Sequence, residues 1–361
     1  MHSTEIYDII FQDVIGMSST ILRFAVMSDL HYNEEYPFVR DRFKSAMEKI
    51  YDYCGAEEYK NLDALYVVGD FADLGLKSQM QMFREDCDKY VSADTKLVVT
   101  LANHELHYVP DYKQAMADFQ EIFNMDFDRH EVMGGYHFIS LSTTIDRGPW
   151  HDSFDATKKE YLKTQLDEAV KDGGDKPIFV FHHPGQFATV LGGVYGNAEL
   201  YPILSQYPQI IDFSGHSHYA VNNPREIHQK HFTSVSTGTL LNIHPYDKIE
   251  NAHISGCFVN HNDMAHMLLV EVDDQSKVHI KIMDVVAGEF FEEEYLVENV
   301  SDKRKYKYTL QRAANAPIPY FGEDAEVSVS ETENGLSISF PRAFCDEERV
   351  FEYTLLLFIC L

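Results

Sequence analysis

Basic residues are scarce in this chain. Against 58 Asp and Glu, its 361 residues hold 30 Lys and Arg, a formal net charge of −28 at pH 7. A surface so balanced repels a nucleic-acid backbone or an anionic membrane, so neither a nucleic-acid duplex nor a membrane is expected as a partner. An anionic ligand would bind only where cations overcome that field, and bound metal ions invert the charge logic of a site locally. Cysteine is also sparse. Cys54, Cys87, Cys257, Cys345 and Cys360 are odd in number and form no CxxC, which argues against a disulfide framework or a zinc knuckle and fits buried thiols in a reducing compartment.

Long apolar runs are missing too. Glu5, Asp8 and Asp13 interrupt Ile9-Ile10-Phe11, so no basic segment with an apolar core opens the chain. No run approaches the ~20 residues needed to span a bilayer, and the apolar stretch 354–361 is far too short. The expected compartment is the cytoplasm. There is no repeat and no low-complexity tract. With 45% hydrophobic residues the chain can bury a sizeable core, and its length suits a large domain plus a smaller one at roughly 150 residues per domain.

The informative stretches are short apolar runs that end in polar residues. Phe213-Ser214-Gly215-His216-Ser217-His218 closes one such run, and strand geometry puts residues i and i+2 on one side, so these two histidines alone would clamp a single metal ion. Ile21 to Met27 ends in Ser28-Asp29-Leu30-His31, Leu62 to Val68 ends in Gly69-Asp70, and Lys96 to Leu101 ends in Ala102-Asn103-His104-Glu105. Pro177 to Phe181 ends in His182-His183-Pro184. Between these runs lie segments with apolar residues at helical spacing, such as Phe43, Ala46, Met47 and Ile50. Strands alternating with helices give an α/β (α+β) chain, and in open α/β sheets sites form at the C-terminal strand ends.

Taken together, Asp29-x-His31, Gly69-Asp70, Asn103-His104-Glu105, His182-x-Pro184 and Gly215-His216-x-His218 resemble the five-block signature of the calcineurin-like metallophosphoesterase superfamily over roughly residues 22–240. The pattern is most similar to the cyclic-nucleotide phosphodiesterase-like branch, whose fourth block often reads His-His-Pro. The resemblance implies a four-layer αββα sandwich of two mixed β-sheets flanked by helices. It implies two metal ions, drawn from Mn, Fe, Zn or Ni by the mixed oxygen and imidazole donors. Asp29, His31 and His218 would hold the first, Asn103, His182 and His216 the second, and Asp70 would bridge them, so that His216 and His218 span two ions. A bridging hydroxide would attack the phosphorus in line. His104 would serve as general acid or phosphate clamp, with Glu105 orienting it. His183 would stand behind His182, because the H-x-P form favours the latter. The departure is Ala102, where the family usually has Gly; a left-handed backbone there would penalise alanine.

Loop residues near the blocks are the substrate-facing candidates, chiefly Arg147, His183 and Tyr195, with His107, Tyr108, Trp150, His151, Gln186 and Asn197 nearby. Arg147 suits a phosphate because a guanidinium matches that geometry. Beyond the last block the pattern turns β-rich, with Asn334-Gly335 between alternating runs as a hairpin signal. The expected division is an extension (1–20), a catalytic domain (21–298) and a β-rich segment (299–361) that resembles the first strands of a fibronectin type III-like sandwich and offers a surface for a protein partner. The function implied is dinuclear metal-dependent hydrolysis of a small phosphate ester, diester ahead of monoester. The alternatives are a catalytically silent metal-binding module acting through its β-rich tail, and a metal amidohydrolase, which would carry HxH rather than DxH on its first strand.

Overall fold

The structure is a computed structural model that describes residues 18–144, 153–244, 264–333, 335–346, 349–351 and 353. Its first part runs β1 (Thr20–Met27), α1 (Phe38–Ala56), β2 (Ala64–Val68), α2 (Lys77–Tyr90), β3 (Lys96–Thr100), a short α3 (Asn103–His107) and α4 (Tyr112–Phe123). There follow β4 (Arg129–Met133), β5 (Tyr136–Leu141), α5 (Ala156–Gly173), β6 (Ile178–Pro184), α6 (Tyr201–Leu204), β7 (Ile210–Gly215), β8 (Ile227–Gln229) and β9 (Thr233–Ser236). The chain then returns as β10 (His266–Asp273), β11 (Val278–Asp284), β12 (Glu289–Phe290) and β13 (Tyr295–Val297), and ends in α7 (Leu310–Ala314) and the pair β14 (Ser328–Thr332) and β15 (Gly335–Ser339).

Two mixed sheets result. One has the order β12-β11-β10-β1-β2-β3, with β13 also on β11, and the other β4-β5-β6-β7-β9-β8. β1, β2 and β3 are parallel, as are β5, β6, β7 and β9. The apolar residues of these strands sort onto both faces, as strands buried on two sides require. Phe24, Tyr66, Phe138, Phe179, Phe181 and Phe213 fill the space between the sheets. Tyr66 stacks on Phe181 with ring centroids 3.9 Å apart, and Phe24 meets Phe179 edge-on at 4.9 Å. On the outer face of the first sheet, Ala25, Leu65 and Val67 pack against Phe43, Met47 and Ile50 of α1, Phe83 of α2 and Phe119 of α4. On the outer face of the second, Ile139, Val180 and Ile210 pack against Leu162 and Leu166 of α5 and Leu204 of α6. This is the αββα layering the motif order implied.

After β13 the chain stays bound to the core. Gln229 donates to the Tyr308 carbonyl, Tyr306 Oη donates to the Pro208 carbonyl, and Arg312 donates to the Pro224 carbonyl. β14 and β15 form the expected hairpin, pairing Val329 with Ile338 and Ser330 with Ser337; Asn334 and half of 350–355, the expected third tail strand, fall outside the described residues. No helix among the described residues is long and apolar enough to cross a membrane.

The two central strands of the first sheet are joined by a buried ion pair. Arg23 of β1 lies opposite Glu271 of β10, with Nε 2.6 Å from Oε1 and the guanidinium wholly buried between the rings of Tyr53 and Tyr59. Removing one partner strands a buried charge, which costs about 3–5 kcal/mol. Glu271→Ala is therefore expected to lose about 3 kcal/mol or more in urea unfolding; a loss below about 1 kcal/mol, the scale of an exposed pair, would contradict this account of the pair.

Candidate metal centre

Because β1, β2 and β3 run parallel and in step, their C-terminal ends open side by side, Met27 beside Val67 and Val68 beside Thr100. Pairing continues past the strand ends. Asp29 N–H donates to the Gly69 carbonyl, His31 N–H to Asp70, and Tyr32 N–H to Phe71. Meanwhile Asp29, His31 and Asp70 adopt left-handed backbone with φ of 53°, 51° and 50°, as do His216 and His218 at 73° and 56°. These five make up more than half of the non-glycine residues with positive φ among those described. Left-handed backbone costs such residues roughly 1–2 kcal/mol each, and strain of this kind gathers at functional sites. It also corrects the strand argument for the two histidines: β7 stops at Gly215, and His216 and His218 are aimed by the turn beyond it, not by strand alternation.

The side chains converge in two adjoining groups. Asp29, His31 and His218 offer ligand atoms within 4.8 Å of one another, and so do Asp70, His183 and His216. The groups touch, since His183 Nε2 is 3.7 Å from Asp29 Oδ1 and 2.9 Å from Asp70 Oδ2. Three of these rings, those of His31, His183 and His218, are held from behind by oxygens. His31 Nδ1 donates to Asp73 Oδ1 (3.2 Å), His183 Nδ1 to the Val68 carbonyl (2.7 Å), and His218 Nδ1 to the Asn242 carbonyl and Oδ1 (3.1 and 2.9 Å). Committing Nδ1 as donor leaves Nε2 as a lone pair, the form that binds metal. His31 Nε2 and His218 Nε2 face each other at 3.2 Å. Asp29 Oδ2 accepts from the Ser28 hydroxyl and from His216 N–H (3.0 Å), while Oδ1 is buried without a hydrogen-bond donor among the described residues and lies 3.1 Å from His218 Nε2. Converging lone pairs around two buried carboxylates, one oxygen of them unpaired, fit divalent cations.

One assignment made from sequence is corrected here. His183, not His182, reaches the cluster. Along β6, Phe179, Phe181 and His183 share the face between the sheets, whereas Ile178, Val180 and His182 face α5 and α6. His182 is wholly buried against Asp212, Nε2 to Oδ1 at 2.6 Å, and beside Phe154. Glu105 is also reassigned. Its side chain makes no hydrogen bond to His104; its carboxylate accepts from the backbone N–H groups of Ala102 (2.8 Å), Ala72 (2.8 Å) and Asp70 (3.2 Å), fixing the loops that present Asp70 and Asn103. Ala102 itself is extended, φ −136°, so alanine meets no left-handed penalty. Asn103 is buried at the head of α3. His104 follows it, with N–H donating to Asp70 Oδ1 (3.0 Å), Nδ1 to the Asp73 carbonyl (2.6 Å) and Nε2 3.9 Å from Asp70 Oδ2. Asp73, Asn242 and Ser28, which orient this set, carry no spacing signal in the sequence.

The outer candidates are scattered. Tyr195 is half exposed, and Tyr219, the neighbour of His218, donates to its hydroxyl at 3.3 Å. Tyr108 lies against His104, ring centroids 4.6 Å apart. Gln186 is buried and serves the fold, its Oε1 accepting from Leu200 and Tyr201 N–H. Arg147, Trp150 and His151 lie outside the described residues. A cavity of about 780 Å³ lined by Asp126, Asp128, Glu131 and Glu168 shares no residue with the cluster.

Mutual pairing shapes the charges. Burial pushes the Asp29 and Asp70 carboxyls up, but the imidazoles of His218 and His183 around Asp29, and of His183 and His104 around Asp70, hold both well below the usual carboxylate range. Burial and the neighbouring His183 push His216 down to about 4. For His104 burial acts downward, yet Asp70 and Asp73 lift it to about 9. Burial and the nearby Asp70 charge raise Glu105 to about 8.

With this geometry in view, the relatives are informative. A family model for calcineurin-like phosphoesterase matches residues 22–220. The chain belongs to the calcineurin-like phosphoesterase family. The match takes in more than half of the chain and all the strand ends described above. Among solved structures it resembles a purple acid phosphatase from yellow lupin (Lupinus luteus) seeds, with a TM-score of 0.53, 14% identity and coverage of 78% of this chain and 54% of that one. The chain thus spans about half of the lupin protein's length, and the likeness is one of fold. A hypothetical protein from Pyrococcus horikoshii aligns more loosely, with a TM-score of 0.37, 10% identity and coverage of 73% and 88% of the two chains. No curated protein sequence matches.

The two histidines of β6 separate cleanly by experiment. His183→Ala is expected to lose bound metal. His182→Ala should keep its metal content but unfold about 3 kcal/mol more easily, because Asp212 is left as a buried unpaired carboxylate. Metal analysis beside urea unfolding checks both, and metal loss confined to the His182 variant would reverse the assignment.

Proposed function

We propose that the protein is a dinuclear metal-dependent phosphoesterase that hydrolyses a small phosphate ester, diester ahead of monoester. The observation that carries this reading is the pair of adjoining ligand groups with His104 beside them. Asp29, His31 and His218 would hold one cation, His183, His216 and Asn103 the other, with Asp70 between. Donors of imidazole nitrogen and hard oxygen suit Mn, Fe, Zn or Ni. When bound, such ions would polarise the phosphoryl group and lower the pKa of the attacking water.

The chain's own residues do the rest. The bonds from Ser28 and His216 to Asp29 Oδ2, and those behind His31, His183 and His218, fix the ligand atoms before substrate arrives, so little reorganisation is left for the reaction. His104, held through Nδ1, presents Nε2 toward the side of the site where Asp70 Oδ2 lies. From there it can give a proton to the departing ester oxygen or hold a phosphoryl oxygen. A silent metal-binding module would lack a ligand or this histidine, and the described residues include both.

The test is metal analysis together with a panel of bis-p-nitrophenyl phosphate, p-nitrophenyl phosphate and cyclic nucleotides. Two ions per chain and turnover of at least one ester are expected, whereas no turnover with metal bound would sink the reading. Asp70→Ala should lose metal and fall to background. His104→Ala should keep its metal while turnover drops on the order of 10²–10⁴-fold; metal loss in that variant would show that His104 is misplaced.

A further inference from the structure

A cavity of about 180 Å³ lies where three parts of the chain meet: the loop after β6, β8 with the turn before it, and the start of α7. Its walls are tied together. Leu191 N–H donates to the Arg225 carbonyl (3.0 Å), Gln229 N–H to the Tyr308 carbonyl (2.7 Å), and Arg312 Nη2 to the Pro224 carbonyl (2.6 Å). Leu191, Val194, Ile227 and Leu310 give it an apolar wall, and Arg225, His228 and Arg312 a basic one. Among the described residues that line it there is no carboxylate.

That lining runs against a chain whose net charge is −28, and the surroundings extend it. Lys230 follows β8, and the segment holding Lys303, Arg304, Lys305 and Lys307 runs beside it, with Lys307 N–H donating to Gln229 Oε1 at 2.8 Å. Two of these cations are paired, Arg304 with Asp302 and Lys307 with Glu298. The local field is nonetheless positive enough to act on a histidine: burial, with the charges of Lys230 and Arg312, pushes His228 down to about 4. The atom that points to a ligand is His228 Nε2. His228 is 5% exposed, and this nitrogen has no hydrogen-bond partner among the described residues. A buried polar group left unsatisfied costs about 1–3 kcal/mol, which an acceptor inside the cavity would relieve.

We propose that this cavity binds a small organic anion, a carboxylate on a compact apolar body. The acid group would accept from the neutral His228 ring through Nε2–H and lie against the guanidinium groups of Arg225 and Arg312, whose planar donors match a carboxylate. Its body would cover Leu191, Val194, Ile227 and Leu310. The cavity is smaller than the roughly 300–1,000 Å³ of pockets for drug-sized ligands, so the ligand is of fragment size. Inorganic phosphate would leave the apolar wall bare. None of these residues belongs to the metal cluster, and the proposal does not rest on the phosphoesterase reading.

The experiment is titration calorimetry on the full chain with its metals and on Asp70→Ala, whose metal centre is disabled; wild type stripped with a chelator replaces that variant if it does not fold. The probes, at constant ionic strength, are benzoate, benzylammonium, which has the same ring and the opposite charge, and inorganic phosphate. Benzoate should bind Asp70→Ala at one site per chain, the wild type should show the same site, and benzylammonium should bind neither. Phosphate should bind Asp70→Ala at least about 10-fold more weakly than benzoate does, for want of apolar burial. His228→Phe removes the donor and keeps a ring, and Arg312→Met removes the charge and keeps a straight chain. Each should weaken benzoate at least about 10-fold, and His228→Phe should unfold no more easily than wild type, since the nitrogen it deletes makes no hydrogen bond among the described residues. Arg225→Gln carries the same expectation and replaces Arg312→Met if that variant does not fold.

No benzoate binding to the metal-disabled protein, equal binding of benzylammonium, phosphate binding as tight as benzoate, or benzoate affinity unchanged by either substitution would each overturn the proposal. Ester turnover bears on none of these readouts, so this site and the phosphoesterase reading can fail separately.

Discussion

Asp29 and Asp70 are carboxylates with almost no access to water, 0% and 2% exposed, and the site is arranged around keeping them charged. An ionised carboxylate buried without partners would shed its charge by taking up a proton. Here one oxygen of each is engaged from the protein side, by Ser28 and His216 N–H on Asp29 and by His104 N–H on Asp70, while the other oxygen turns toward the imidazoles. Holding that orientation requires left-handed backbone at five positions of the site and glycines where side chains would intrude. A Cβ on Gly215 would lie 2.4 Å from Ser28 Oγ and 2.6 Å from Asp29 Oδ2, and one on Gly69 would lie 2.7 Å from His183 Nδ1. The packed aromatic layer between the sheets, in turn, keeps the strand ends in step so that these turns meet.

The same pair reconciles the chain's overall charge with an anionic substrate. A net charge of −28 disfavours phosphate nearly everywhere on the surface. Two cations on the Asp29 and Asp70 groups would reverse the sign within a few ångströms while the rest of the protein stays acidic. The 780 Å³ cavity near Asp126 and Glu131 has room but no such means, being lined by more acidic groups than basic ones.

Much of this was legible in sequence because each strand that leads into the site is a short apolar run ended abruptly by polar residues, and the order of those ends specified both the layers and the family. What was not legible depends on direction rather than identity. β6 is apolar on both faces, so its pattern does not say whether His182 or His183 points between the sheets, and the H-x-P spacing suggested the wrong one. The row Phe179, Phe181, His183 was the available hint, since bulky aromatics fill the layer between the sheets. The backbone of His216 and His218 could not be inferred from strand periodicity because both lie beyond the strand. Glu105 reads as a charged neighbour of His104, yet its position in the first turn of α3 lets it reach back to Ala102 N–H, as an acid at that point of a helix commonly does. Asp73 sits in a loop where nothing but the fold brings it to His31 and His104.

The central claim is that two cations share this site with a defined division of ligands. Its most direct test is anomalous diffraction from crystals loaded with manganese or zinc. The account predicts two peaks about 3.5–4 Å apart, one bound by Asp29, His31 and His218 and the other by His183 and His216, with Asp70 touching both. A single peak held by His216 and His218 together, or a second ion bound by His182, would contradict it.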